Sequence, residues 1–222
     1  RLYEVDTRLR PGGSDGPIAV SLQAFDAYFT NSAWTYEHMA LTKARIIAQY
    51  RDSFGSLLYD MIGKHIGKTR DNTLLLKDVR DMRERIAKEH RTNNPWHLKH
   101  HRGGLVDIDF IAQYICLREG QQSPSIWRAQ AEDIFNEAMY LGVLDMDKAA
   151  ELIQAKTFLS DLLSYLRLTW PEGIITDDAP TGLKRLLTDV MAAEDFATLK
   201  NHLINVESRV QALFNELVPP TT

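Results

Sequence analysis

A single cysteine among 222 residues, Cys116, leaves no intrachain disulfide to be formed, so a disulfide-stapled scaffold is excluded and a reducing, cytoplasmic setting is expected. It sits within the apolar run Phe110 to Leu117 and reads as packed core. No stretch approaches the roughly 18 apolar residues of a membrane span. The N-terminus has neither a basic-then-apolar signal region nor an amphipathic transit pattern, so membrane and export roles fall away. Charge of one sign is lacking too. The 26 basic and 30 acidic residues leave a net charge of −4 with no long like-charged block, which argues against a broad nucleic-acid face. Fixed-period repeats and low-complexity segments are absent. The remainder is an ordinary globular chain, 44% hydrophobic and 25% charged, long enough for one large domain or two small ones.

The sequence opens on Arg1 rather than Met, inside an alternating segment with no turn before it, which reads as a truncated chain. Glu4, Asp6, Arg8 and Arg10 fall on one side of an extended strand, with Tyr3, Val5, Thr7 and Leu9 on the other. Pro11, Gly12, Gly13, Gly16 and Pro17 then break the strand. No later segment alternates convincingly, so this strand has no visible partner. Helical spacing begins near Ser21, an expected N-cap for a helix through Phe29; Ser32 is the expected N-cap of a second helix through Trp34, Met39 and Ala44 toward Ile47.

Further helices are read from apolar spacings of three and four: Leu75, Val79, Met82 and Ile86; Trp127, Ala131, Ile134, Ala138 and Leu141; Leu152, Ala155, Leu159, Leu162 and Leu166. Connections are expected over Gly67 to Thr73, Glu119 to Ser125 and Trp170 to Thr181. Phe196, Leu199, Leu203, Val206, Val210, Leu213 and Leu217 keep a heptad stripe that reads as bundle core, with an intermolecular coiled coil as the lesser option. The expected fold class is mainly α: an antiparallel helical bundle preceded by a remnant strand of a sheet. The division falls at residues 1–20 and 21–222, with a possible sub-boundary near 90–104.

Asp6 stands out among candidate site residues. A carboxylate spaced by two from Glu4, Arg8 and Arg10 combines an oxygen ligand for magnesium with guanidinium forks for phosphate oxygens. A solvated edge strand with salt bridges has the same pattern. Gly63 to Thr69 imitates a P-loop but has three residues between its glycines where four are required, and it follows a helix. His97, His100 and His101 lack a cysteine or an assured acidic partner and read as solvated loop histidines. Trp34, Tyr36 and Trp96 read as core, and Glu37 and His38 as interdomain packing. Asp107 and Asp109 suit the positive end of a helix beginning after Gly103 and Gly104.

The block Tyr3-Glu4-Val5-Asp6-Thr7-Arg8-Leu9-Arg10-Pro11-Gly12-Gly13 resembles a motif of glutamine synthetase adenylyltransferases. Three more blocks follow in the same order: Ala33-Trp34-Thr35-Tyr36-Glu37-His38-Met39-Ala40-Leu41-Thr42-Lys43-Ala44-Arg45, Asp78-Val79-Arg80-Asp81-Met82-Arg83-Glu84-Arg85, and Gly103-Gly104-Leu105-Val106-Asp107-Ile108-Asp109-Phe110. The motifs cover roughly the first half of the chain; the second half is similar only in helical character and length.

The resemblance implies two halves, each a polymerase β-like nucleotidyltransferase domain followed by a helical domain, one attaching AMP to glutamine synthetase and the other removing it by phosphorolysis. The wording after the paired glycines resembles the C-terminal, adenylylating half. The implied reaction is attack of a tyrosine hydroxyl of glutamine synthetase on the α-phosphate of ATP. Asp6 would be a catalytic magnesium ligand, while Arg8 and Arg10 would contact the triphosphate or form a structural pair. Two further carboxylates after a Gly-Ser pair complete the family's two-magnesium site, and none here matches them, so this chain alone is expected to be inactive. A non-catalytic reading has the helical module bind a PII-type signal protein, glutamine or glutamine synthetase. Asp109 stands where the family usually has glutamate.

Overall fold

The computed structural model describes residues 6–7, 10–128, 130–170 and 173–220. Nine α-helices form among them: α1 (Leu22–Asn31), α2 (Thr35–Leu41), α3 (Asp52–Ile66), α4 (Asn72–Glu89), α5 (Leu105–Glu119), α6 (Ala131–Tyr140), α7 (Met146–Thr169), α8 (Thr181–Val190) and α9 (Phe196–Leu217). No strand occurs among the described residues, and the strand expected over Arg1 to Arg10 lies largely outside them. The fold is mainly α.

Short polar side chains set the helix starts. The Ser21 hydroxyl accepts the Ala24 N–H at 3.1 Å. The Asp71 carboxylate accepts the amides of Thr73 at 2.8 Å and Leu74 at 3.0 Å. Asp145 accepts from Asp147 at 3.0 Å, and Asp195 from Thr198 at 2.7 Å. Each satisfies a backbone donor that the helix cannot, a contribution of about 1 kcal/mol.

The second helix departs from the expectation. Ser32 closes α1, and α2 starts after Trp34, whose N–H donates to the Glu37 carboxylate at 2.8 Å. Nor does α2 reach Ile47. Buried Thr42 turns its hydroxyl back to the Met39 carbonyl at 2.7 Å, and its own carbonyl accepts the Trp127 indole N–H at 3.1 Å. That tertiary bond takes an acceptor a continuing helix would have used. Trp127 itself precedes α6, at the end of a short 3-10 turn over Pro124–Ile126.

Helix α5 is the centre of the molecule. From Leu105 to Leu117 every side chain but that of Asp109 is buried, the condition under which a helix is covered all round. It packs against α2, α4, α6, α7 and α9. Cys116 lies within it, and burial pushes its thiol up to about 12. The stripe of α9 closes on α5, α7 and α8, with Leu199, Leu203, Val210 and Leu213 buried, so it serves the core of this chain. One buried apolar cluster runs from Phe29 to Val218, including residues on both sides of the 90–104 segment.

Candidate functional site

The N-terminal edge carries the candidate ligands. Asp6 is exposed, and Arg8 lies outside the described residues. Arg10 folds its guanidinium over the following turn: Nε donates to the Gly16 carbonyl at 3.1 Å, Nη2 to the Ser14 carbonyl at 3.2 Å and Nη1 to the Thr7 hydroxyl at 3.0 Å. The turn itself needs the left-handed backbone at Gly12, φ 78°. Its backbone reaches the Tyr28 phenol, which donates to Glu37 Oε1 at 2.5 Å. Contacts thus lead from the turn at Gly12 through Tyr28 on α1 to Glu37 on α2.

Beneath that edge, two histidines and an arginine tie α2 to α3 and to the connection after it. His38 is buried against Phe29, ring centroids 5.4 Å apart, and its Nδ1 is 3.3 Å from Arg70 Nη2. Burial, reinforced by the Arg70 charge, pushes His38 down to about 4. Arg70 also donates to the His65 and Ile66 carbonyls at the end of α3, 2.6 Å each. His65 Nε2 lies 2.9 Å from Asp26 on α1.

Trp34 and Tyr36 do not join the core. Trp34 is 72% exposed and Tyr36 43%, because α2 turns the face of His38, Met39 and Leu41 inward. Trp96 is buried as expected and stacks on Phe196, centroids 4.9 Å apart.

The paired glycines mark a second, buried constellation. Gly103 has φ 82°, and a Cβ there would stand 1.8 Å from the Glu207 carbonyl oxygen on α9, so no other residue fits without moving a helix. Next to it Arg83 of α4 pairs with Asp107 of α5, Nη2 to Oδ2 3.3 Å, and also reaches the carbonyls of His100 at 3.2 Å and His101 at 3.4 Å. Asp107 also accepts the Gly103 N–H. Its position at the start of α5 matches the expectation, but its partner is a specific arginine.

The loop histidines are half-buried rather than solvated. His101 Nδ1 lies 2.9 Å from Glu207 Oε2. The Glu207 carboxylate raises His101 above the ordinary histidine range, and burial raises Glu207. His100 stacks on His90 at 3.9 Å, and burial pushes it down to about 4.

A third constellation centres on Asp109, whose two oxygens meet Lys43 and Lys156 at 2.8 Å each. Burial opposes its ionisation, yet the two ammonium groups hold its carboxyl below the usual range. Sequence reasoning missed all three pairings. A usable signal was present: Arg83 follows Leu75 and Val79 at spacing four, and Glu207 follows Leu203 at the same spacing, so each puts a charge on an apolar stripe.

Among the described residues no three His, Cys, Asp or Glu side chains gather as a metal cluster.

A family model for glutamate-ammonia ligase adenylyltransferase matches residues 1–57, and one for GlnD PII-uridylyltransferase matches residues 76–218. The chain is 38% identical over 221 residues to a bifunctional glutamine synthetase adenylyltransferase/adenylyl-removing enzyme of Bradyrhizobium diazoefficiens. It belongs to the glutamine synthetase adenylyltransferase family. A relative of the same description from Xanthobacter autotrophicus is 38% identical over 218 residues, 98% of this chain. The chain spans 22% of the length of each of these adenylyltransferases. The first matched region ends within α3 and the second begins within α4, with Asp6, Arg10, Glu37 and Lys43 in the first and the Arg83–Asp107 pair in the second.

Proposed function

We propose that the chain is the closing part of the adenylylating half of a bifunctional adenylyltransferase. It would supply the last catalytic strand and the helical domain of an enzyme that moves AMP from ATP to a tyrosine of glutamine synthetase. In that reaction the tyrosine oxygen bonds to the α-phosphorus, the bond to the bridging oxygen breaks, pyrophosphate leaves and the phenolic proton passes to a base. The observation that carries this reading is the 38% identity, over 221 residues, to a relative bearing that name.

Asp6 is the one magnesium ligand assigned to this segment. Two further carboxylates would come from residues upstream in the longer protein, so the present chain by itself transfers nothing. Arg8 is assigned to the triphosphate. Arg10 is assigned to structure, because its fork is already taken up by Thr7, Ser14 and Gly16. The setting is cytoplasmic.

In a protein extended upstream, Asp6→Asn should abolish magnesium-dependent AMP transfer and leave thermal unfolding unchanged; near-normal turnover would remove Asp6 from the site. Calorimetric titration of the present chain with magnesium and ATP should give no specific binding, whereas micromolar affinity would contradict the divided site. A second reading is favoured by the match of residues 76–218 to the GlnD PII-uridylyltransferase model: the helical part binds a PII-type signal protein, glutamine or glutamine synthetase. It requires the isolated chain to bind one of these, which a pull-down and titration would show.

A further inference from the structure

Helix α3 has a wider apolar sector than its neighbours cover. Gly55, Ile62, His65 and Ile66 face inward and are buried, packed toward α1 and α2. Beside them Phe54, Leu57 and Met61 recur at spacings of three and four, which puts them on one adjoining face. Met61 is half-buried, but Phe54 is 47% and Leu57 58% exposed. In the segment just before the helix Tyr50 is 92% and Ile47 78% exposed. Large apolar side chains grouped at helical spacing and left uncovered mark an interface, unlike the single exposed leucine common on any surface.

We propose that the Phe54, Leu57 and Met61 face, with Ile47 and Tyr50 before it, is the seat of the part of the longer adenylyltransferase that lies upstream of Arg1. Two observations select that occupant. The relatives are far longer than this chain, which spans 22% of them. The adenylyltransferase match, residues 1–57, takes in the exposed segment and ends at Leu57. The proposal rests on the reading of the chain as part of such an enzyme, but its test does not depend on AMP transfer.

Hydrogen exchange of the 54–61 amides should be slower by about tenfold or more in the longer protein than in the present chain, since cover suppresses local opening. Equal exchange would overturn the assignment. Leu57→Lys should leave the melting temperature of the present chain unchanged, because the side chain is exposed there, and should erase the added protection in the longer protein. Protection that survives Leu57→Lys would also overturn it. Sedimentation of the present chain should show a monomer; a dimer dispersed by Leu57→Lys would instead make a second copy the occupant. An enzyme that fails to transfer AMP but shows the protection would separate failure of the catalytic reading from failure of this one.

Discussion

Arg83 and Asp107 form an ion pair with both partners withdrawn from water, their side chains 0% and 1% exposed, between a helix of the second matched block and the start of the central helix. The pair is held further by the Gly103 amide on Asp107 and by two loop carbonyls on Arg83. Such pairs repay their desolvation only when the remaining hydrogen bonds are made, and removing one partner strands the other.

Arg83→Met and Asp107→Asn are therefore each expected to destabilise the chain by about 3–5 kcal/mol, the usual cost of orphaning a buried charge. Replacing both together should cost less than the sum of the two. Urea unfolding of the single and double variants measures the coupling.

Gly103→Ala combines a left-handed backbone with a collision against the Glu207 carbonyl oxygen. The backbone strain alone is about 1–2 kcal/mol. A larger loss, read from denaturant unfolding, is expected because the collision must push α9 away from the turn. Gly142→Ala is the control: its φ is 72°, but nothing stands within 4 Å of an added Cβ.

Asp109→Ala should weaken the chain by about 1.5–3 kcal/mol, the range for hydrogen bonds to charged groups. Either lysine removed alone should cost less, since one ammonium still neutralises the carboxylate. Asp109→Glu should retain most of the stability, as the two lysines can follow a carboxylate that moves by one methylene. Thermal melts of the four variants check the order.

The histidines give the stability a pH dependence of two opposing parts. His38 and His100 sit near 4 in the folded chain against an ordinary 6.5. As the pH falls below 6.5 the unfolded chain takes up protons that the folded chain refuses, so their contribution is lost between 6.5 and about 4. His101 is raised, so its contribution is complete below 6.5 and is lost as the pH rises through its folded value. NMR titration should find His38 and His100 neutral down to about 4 and His101 charged above 6.5. His101→Gln should remove the alkaline part of the loss in unfolding experiments.

Helices α1, α4, α6, α7 and α9 were legible in the sequence because their apolar residues repeat at the helical period, whereas α3 and α8 were not read. The stripe from Phe196 to Leu217 marks α9 to the residue, and Ser21 marks the start of α1. The end of α2 was not legible, since it depends on Trp127, 85 residues away, taking the Thr42 carbonyl. Exposure of Trp34 was misread for a related reason: an aromatic residue's share of the core depends on which way its helix is rotated, and residues 33–36 do not encode that.

By itself the sequence determined the helical class and the family, which rest on local periodicity and on contiguous motifs. Only the tertiary structure decided that Arg83 meets Asp107, that Asp109 is shared by two lysines, and that Gly103 is required by the backbone of α9. Those ties join residues between 24 and 104 positions apart. The position of such a charge along the chain does not reveal its partner, because that partner is chosen by how the helices pack.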